Sequence, residues 1–271
     1  MHGIDRGRVE RSFHRGACQY DQHTPVQQRV VQRLLGRLSA ELSNEPQRVL
    51  DIGCGTGQLL QSLAQRYPQA GLTGLDLAPN MLQQAAERLG TRAELVQGDA
   101  ERLPFGDTSF DLVVSSSTFQ WLEHCDTCFG EVQRILKPDG LFCFALFGEG
   151  TLQELQCSWR DALARSGRVA DLHQDGTHRF HTLEEVKASL EQQGFTDLEV
   201  VSEREVVWYP DLPQLLQAIK RIGAGTARPQ RGGGLGWRRV LHDMATVYRE
   251  RFGTDLGVPA SYQVIYGVGR T

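Results

Sequence analysis

Between residues 24 and 42, apolar side chains recur at Val26, Val30, Leu34, Leu38 and Leu42, with Val31 and Leu35 beside them. That spacing stripes one side of a helix. The charged stretch before it, residues 5–20, reads as a shorter polar helix. A different rhythm then begins, in which short β-branched runs alternate with helical periods. The runs 48–53, 72–77, 93–97, 110–116 and 141–147 read as strands, and 58–66, 79–89 and 126–136 as helices. Pro79 suits a first helical turn, where its missing N–H would have no partner anyway. Strands separated by helices need crossover connections, so the pattern predicts a mainly parallel sheet covered on both faces. Farther on come a helix at 183–193 stopped by Gly194, and a long strand at 198–209 whose alternation predicts one partly exposed face. Helical stretches at 212–222 and 235–252 follow, separated by a glycine hinge at 232–234, and the chain closes with a strand at 261–269.

The composition leaves this α/β reading in place. Apolar residues make up 40% of the 271 and charged residues 23%, ordinary globular usage. The net charge of -4 predicts no global attraction to nucleic acid or to an anionic membrane. The N-terminus is charged, and no run approaches 18 apolar residues, so a cytoplasmic protein without a membrane span is expected. Six scattered cysteines in a chain of this length are expected to be free thiols. Cys125-x-x-Cys128 alone has ligand spacing, and no second pair completes four ligands, so no metal is expected.

The chemistry concentrates at strand ends. In VLDIGCGTG, Gly53, Gly55 and Gly57 close a tight turn after the first strand, where glycine lets the backbone touch a ligand. A dinucleotide fingerprint would place its third glycine one residue later, and Asp51 would repel a phosphate. An acid suits a ligand carrying ammonium or sulfonium charge. Asp76 ends the second strand, where a carboxylate accepts both hydroxyl protons of a ribose, and Asp99 follows the third, placed to accept from an exocyclic amine. One aspartate after a strand is ordinarily a turn or cap residue; three facing one crevice beside a glycine turn are not.

This pattern resembles the class I S-adenosylmethionine-dependent methyltransferases, whose motifs match VLDIGCGTG, LDLAPNML, GDAERLPF, FDLVVSS and LKPDG over roughly 48–147. The resemblance implies a Rossmann-like fold with a seven-stranded, mainly parallel sheet and an antiparallel last strand. It also implies an N-terminal helical cap (1–44), a cofactor-binding core (45–148), the second half of the sheet (149–209), a helical insertion (210–259) and the last strand (260–271), together one domain. S-adenosyl-L-methionine is the implied cofactor. Asp51, Gly53 and Gly55 would hold its methionine part and Asp76 its ribose. Leu77 and Met81 would pack on adenine, with Asp99 and Ala100 at the rim, and Ser115 would lie beside the sulfur.

The flanks SFHRGACQYDQHTPVQ, STFQWL and AIKRIGAGTARPQR resemble the malonyl-[acyl-carrier protein] O-methyltransferase family of biotin synthesis. That implies esterification of a free malonyl carboxylate, an ionised nucleophile that needs no general base. Residues expected to orient the acceptor are Arg221 with Lys220, then Arg179, whose forked cations suit a carboxylate, with Tyr20, Gln120 and Trp121 around them. Phe119 reads equally as core. Residues 214–252 hold eight Lys/Arg against Asp243 and Glu250, a local charge of +6 in a chain otherwise at -10, so this segment is the expected docking face for an acidic acyl carrier protein. The alternatives are a carboxyl methyltransferase of a small free polyacid such as trans-aconitate, and a quinone-pathway C- or O-methyltransferase. A non-catalytic binder of the same cofactor or a nicotinamide dehydrogenase would differ in cofactor affinity.

Overall fold

The computed structural model describes residues 21, 24–42, 44–122, 124–167, 179–221 and 235–271, with side chains in the last stretch from residue 238. The expected helix at 5–20 and hinge at 232–234 lie outside them. The described elements are, in chain order, α1 (Pro25–Glu41), β1 (Arg48–Ile52), α2 (Gln58–Arg66), β2 (Gly71–Asp76), α3 (Pro79–Leu89), β3 (Ala93–Gln97), β4 (Phe110–Ser116), α4 (Cys125–Ile135), β5 (Leu136–Phe147), α5 (Gln153–Arg165), α6 (Leu183–Gln192), β6 (Thr196–Tyr209), α7 (Leu212–Arg221), α8 (Leu235–Phe252) and β7 (Val258–Arg270).

The seven strands form one sheet in the order β3-β2-β1-β4-β5-β7-β6. β1 to β5 pair in parallel, and β7 runs antiparallel to both β5 and β6. The order reverses between β1 and β4, and a parallel sheet opens its ligand crevice beyond the strand ends at such a switch. Alternation along β5 shows how both faces are filled. Leu141, Cys143, Ala145 and Phe147 join a core with α1, α2, α3, α5, α7 and α8. Phe142, Phe144 and Leu146 join the opposite core with α4 and α6. An uninterrupted apolar run is what a strand buried on both faces requires.

Helix α5 is the element the sequence pattern left unread. Leu155, Trp159, Ala162 and Leu163 recur at helical steps and pack in the first core, but Gln, Glu and Arg between them dilute the stripe. Buried Glu154 fixes this helix to the sheet: its carboxylate accepts from the Ser261 hydroxyl and from Arg204 Nη2 at 3.1 Å.

The charged alternation of β6 is covered rather than simply solvated. Arg29, Arg33 and Arg37, one helical turn apart on α1, face Glu205, Glu203 and Glu199 of that strand. Arg33 Nε lies 2.9 Å from Glu205, and Arg37 lies 2.6 Å from Glu203 and 2.8 Å from Glu199. Because β7 is antiparallel to both neighbours, β6 points the same way as β1 to β5. Tyr209 therefore pairs with Val258 at the crevice end of the sheet, and the α7–α8 insertion leaves and re-enters at that rim.

Candidate functional site

The glycine turn follows β1 at the switch. Gly53, Gly55 and Gly57 have φ of 69°, 54° and 81°, a left-handed region that strains other residues. Gly53 also has no room for a side chain, since a Cβ there would lie 2.2 Å from Thr118 Oγ1 in the loop after β4. We expect Gly53→Ala to cost about 1–2 kcal/mol from backbone strain alone and to push the two loops apart. Urea unfolding and donor titration check this; unchanged affinity would mean that the close approach serves no ligand.

Asp51 is 1% exposed, and neither carboxylate oxygen has a hydrogen-bond partner among the described residues. Burial first, and then the neighbouring Asp76, push this carboxyl well above the usual range. A buried acid without a partner is costly, and a cation brought beside it removes that cost. Asp76 is built differently: its oxygens accept from Gly55 N at 2.9 Å and Ala78 N at 2.8 Å. Burial raises its pKa, while these N–H groups hold it down. Beyond β2, Leu77 exposes 36% of its surface and Met81, in the first turn of α3, is buried. Asp99 accepts from Glu101 N at 2.9 Å and is followed by buried Ala100. Asp51 and Asp76 thus sit at the ends of adjacent strands, and Asp99 lies two residues past the next one.

An N-terminal latch closes over the glycine turn. Asp21 accepts from Thr56 Oγ1 at 2.7 Å and pairs with Arg88, which also donates to Thr56 O at 2.5 Å. The latch joins residues far apart in the chain, and only the Tyr-Asp dipeptide at 20–21 hinted at it in the sequence. Tyr20 itself lies outside the described residues.

Ser115 stands near the end of β4 at the switch. It is fully buried, and its hydroxyl donates to Ile52 O at 2.7 Å, tying β4 to β1. Any contact of Ser115 with a ligand beside β4 would therefore come from its backbone and not from its hydroxyl. Gln120 is also buried and acts as a bracket: Nε2 donates to Ser117 O at 2.6 Å, and Oε1 accepts from Phe147 N at 3.4 Å. Phe119 is core, edge-on to Phe129 with centroids 5.6 Å apart, while Trp121 is half-buried on the same 3₁₀ turn.

Among the expected cations, Arg179 is exposed and already paired with Glu185. Lys220 and Arg221 are exposed at the end of α7, and no hydrogen bond or ion pair among the described residues joins either to the acids of the crevice. The Cys125 thiol, pushed up to about 12 by burial, donates to Phe119 O at 3.2 Å and lies 3.3 Å from His181 Nε2. Burial lowers the His181 pKa. Cys54, Cys125, Cys128, Cys143 and Cys157 are all free thiols.

A glycine turn over an orphaned buried acid, at the switch of a sheet with an antiparallel β7, defines a class I methyltransferase. The methyltransferase-domain family profile matches residues 50–144. The protein YcgJ of Bacillus subtilis shares the fold, with a TM-score of 0.58 at 21% identity over 89% of this chain and 98% of its own. So does phosphoethanolamine N-methyltransferase 2 of Haemonchus contortus, with a TM-score of 0.55 at 23% identity over 89% of this chain and 52% of its own. Over 98% of this chain and 99% of the relative, the sequence is 51% identical to malonyl-[acyl-carrier protein] O-methyltransferase of Geobacter sulfurreducens. It is 38% identical to the enzyme of that name from a Methylovorus species, over 97% and 88%. A further relative is the biotin biosynthesis bifunctional protein of Teredinibacter turnerae, at 35% identity over 96% of this chain and 46% of that protein. The chain belongs to the malonyl-[acyl-carrier protein] O-methyltransferase family.

Proposed function

We propose that the protein transfers the methyl group of S-adenosyl-L-methionine to the free carboxylate of a malonyl thioester, preferably malonyl-acyl carrier protein. The resulting ester primes pimeloyl and biotin synthesis. The observation that carries this is the 51% identity to the Geobacter sulfurreducens enzyme across nearly the whole of both chains. The donor would supply a methyl group on a sulfonium: a carboxylate lone pair forms the new C–O bond in line as the C–S bond breaks and its electron pair leaves with the sulfur. The residues present fit such a donor. Asp51 would face its cationic methionine part beside Gly53 and Gly55, and Asp76 would accept from its ribose. Leu77 and Met81 would flank the adenine, with Asp99 and Ala100 at the rim.

A carboxylate of pKa about 4 is ionised at neutral pH, so the protein has no proton to remove. Its task is to aim two reactants, which is worth up to about 7–11 kcal/mol. Mass spectrometry after separate incubation with malonyl-acyl carrier protein, malonyl-CoA and trans-aconitate tests the assignment. A gain of one CH₂ on the carrier substrate supports it; a gain on trans-aconitate alone would leave the small-polyacid reading.

The carrier is taken to dock on the basic insertion. Arg238 and Arg239 are exposed on α8 and form no ion pair with another described residue, whereas Arg251 is neutralised by Asp161 at 2.9 Å. The insertion springs from the crevice rim at Tyr209 and Val258, and β6 lies three strand spacings from β4, about 14 Å. A carrier seated there would present a tethered acyl group toward the switch point. We expect Arg238→Glu with Arg239→Glu to raise KM for the carrier substrate roughly tenfold at low salt and to spare kcat. The difference should shrink as salt screens it; an unchanged KM at low salt would remove α8 from the docking face. Among the described residues, no helix is long and apolar enough to cross a membrane, and a cytoplasmic location is part of the proposal.

A further inference from the structure

The last residue of β4, Ser116, and the first beyond it, Ser117, carry hydroxyls with no role so far. Alternation along the strands sorts their directions. Val49 of β1 and Leu112 and Val114 of β4 face the core beneath α1, so Asp51 and Ser116 share that face while Ser115 turns to the other. Ser117, just past the strand, has φ of 59°, a left-handed conformation that costs a non-glycine residue free energy. The surroundings hold it there. Its N–H donates to Ala145 O at 2.8 Å, its carbonyl accepts from Gln120 Nε2 at 2.6 Å, and the next residue, Thr118, lies 3.3 Å from Gly53 O. Yet Ser116 Oγ and Ser117 Oγ are both buried without a hydrogen-bond partner among the described residues. A folded chain does not ordinarily hold a strained loop in place in order to bury two unsatisfied hydroxyls. The hydroxyls of Ser158, Ser166 and Ser189 are also without a partner among the described residues, but at Ser116 and Ser117 this coincides with a left-handed backbone beside the switch, and that combination points to a ligand site.

We propose that the hydroxyls of Ser116 and Ser117 receive the acceptor carboxylate and aim it at the donor. The inference rests on the carboxyl-methylation reading above. Position is right for an acceptor met by a donor: the loop touches the glycine turn through Thr118 and Gly53 on one side and is tied to β5 through Ala145 and Phe147 on the other, while Asp76 lies beyond β1. Chemistry favours hydroxyls over a guanidinium. An arginine fork covers both carboxylate oxygens and draws electron density from each. Neutral hydroxyls grip the non-reacting oxygen and leave the other a free lone pair for attack on the methyl carbon. In this arrangement Gln120 is a positioning residue, acting through the Ser117 carbonyl.

Ser117→Gly separates hydroxyl from backbone, because glycine adopts this φ without strain. In the full-length protein, we expect Ser117→Gly and Ser117→Ala each to raise KM for malonyl-acyl carrier protein about tenfold or more, the size expected for losing a hydrogen bond to a charged group. Ser116→Ala should move KM the same way. Affinity for S-adenosylhomocysteine, measured by calorimetry, should stay within about twofold, the expected insensitivity of a site that does not hold the donor. Ser117→Gly should melt no lower than Ser117→Ala. A merely structural serine predicts the reverse pattern, with KM unmoved by Ser117→Gly. Unchanged KM in both Ser117 variants overturns the inference. So does a loss of S-adenosylhomocysteine affinity at constant acceptor KM, which would assign the hydroxyls to the donor's own carboxylate. A wild-type protein that fails to methylate the carrier substrate at all would bring down the carboxyl-methylation reading, and this inference with it.

Discussion

Asp76→Ala is expected to abolish donor binding at any practical concentration and to weaken the fold as well. In the structure, each carboxylate oxygen already accepts one backbone N–H, from Gly55 at 2.9 Å and from Ala78 at 2.8 Å. These bonds orient the group and leave each oxygen a lone pair for a ribose hydroxyl. Hydrogen bonds to an ionised group contribute about 1.5–3 kcal/mol each. Losing two costs about 3–6 kcal/mol, or roughly two to four orders of magnitude in Kd. The same substitution leaves the Gly55 and Ala78 N–H groups without their acceptor, at about 1–3 kcal/mol each where no water replaces it. Calorimetric titration with S-adenosylmethionine and thermal melting together read both losses. If affinity survives while the melting temperature drops, Asp76 is a loop fastener and the ribose lies elsewhere.

Asp51→Asn should separate those two effects. The Asp51 carboxyl is buried, without a partner among the described residues, and raised well above the ordinary carboxylate range by burial and then by Asp76. In the unfolded chain it ionises near pH 4. Between that pH and its raised folded value, the folded protein retains a proton that the unfolded chain has released. Stability of the ligand-free enzyme therefore falls as pH rises through the window. An amide has no charge to bury, so Asp51→Asn should melt higher than wild type at neutral pH and show a flatter pH dependence of stability. Donor binding moves the other way. Truncating one partner of a buried charge pair costs about 2–5 kcal/mol, here roughly thirty- to several-thousand-fold in Kd. Greater stability with lost affinity in Asp51→Asn, against both lost in Asp76→Ala, is the expected signature. A destabilised Asp51→Asn would mean that the carboxylate holds the fold rather than a ligand.

Much of this was legible in the residues because it is written within short windows. Helix α3 begins at Pro79 and ends at Leu89, and α2 spans 58–66, as their apolar periods and flanking turns predict. The ends of β1, β2 and β3 put Asp51, Asp76 and Asp99 on one side of the sheet once the strands are known to be parallel. Helix α5 was harder, because charged and amide side chains interrupt its stripe. The engagement of the Ser115 hydroxyl was not legible for a different reason. Alternation says that Ser115 and Ser116 face opposite ways, but which of the two meets the crevice depends on the neighbouring strand that accepts the hydroxyl. Arg179 looked like a free cation until the helix it precedes brought Glu185 to it.

The sequence by itself determined the order of the strands and of every described helix but α5, the glycine turn, and which acids end which strands, since periodicity, capping and turn chemistry act over a few neighbouring residues. Only the tertiary structure decided which polar groups are engaged and which are left without partners. The Asp21–Thr56–Arg88 latch, the Gln120–Phe147 arm of the bracket and the oxygens of Asp51, Ser116 and Ser117 left without partners among the described residues all depend on segments distant in the chain. A side chain's hydrogen-bonding state is settled by what packs against it, and that is set only when the sheet closes.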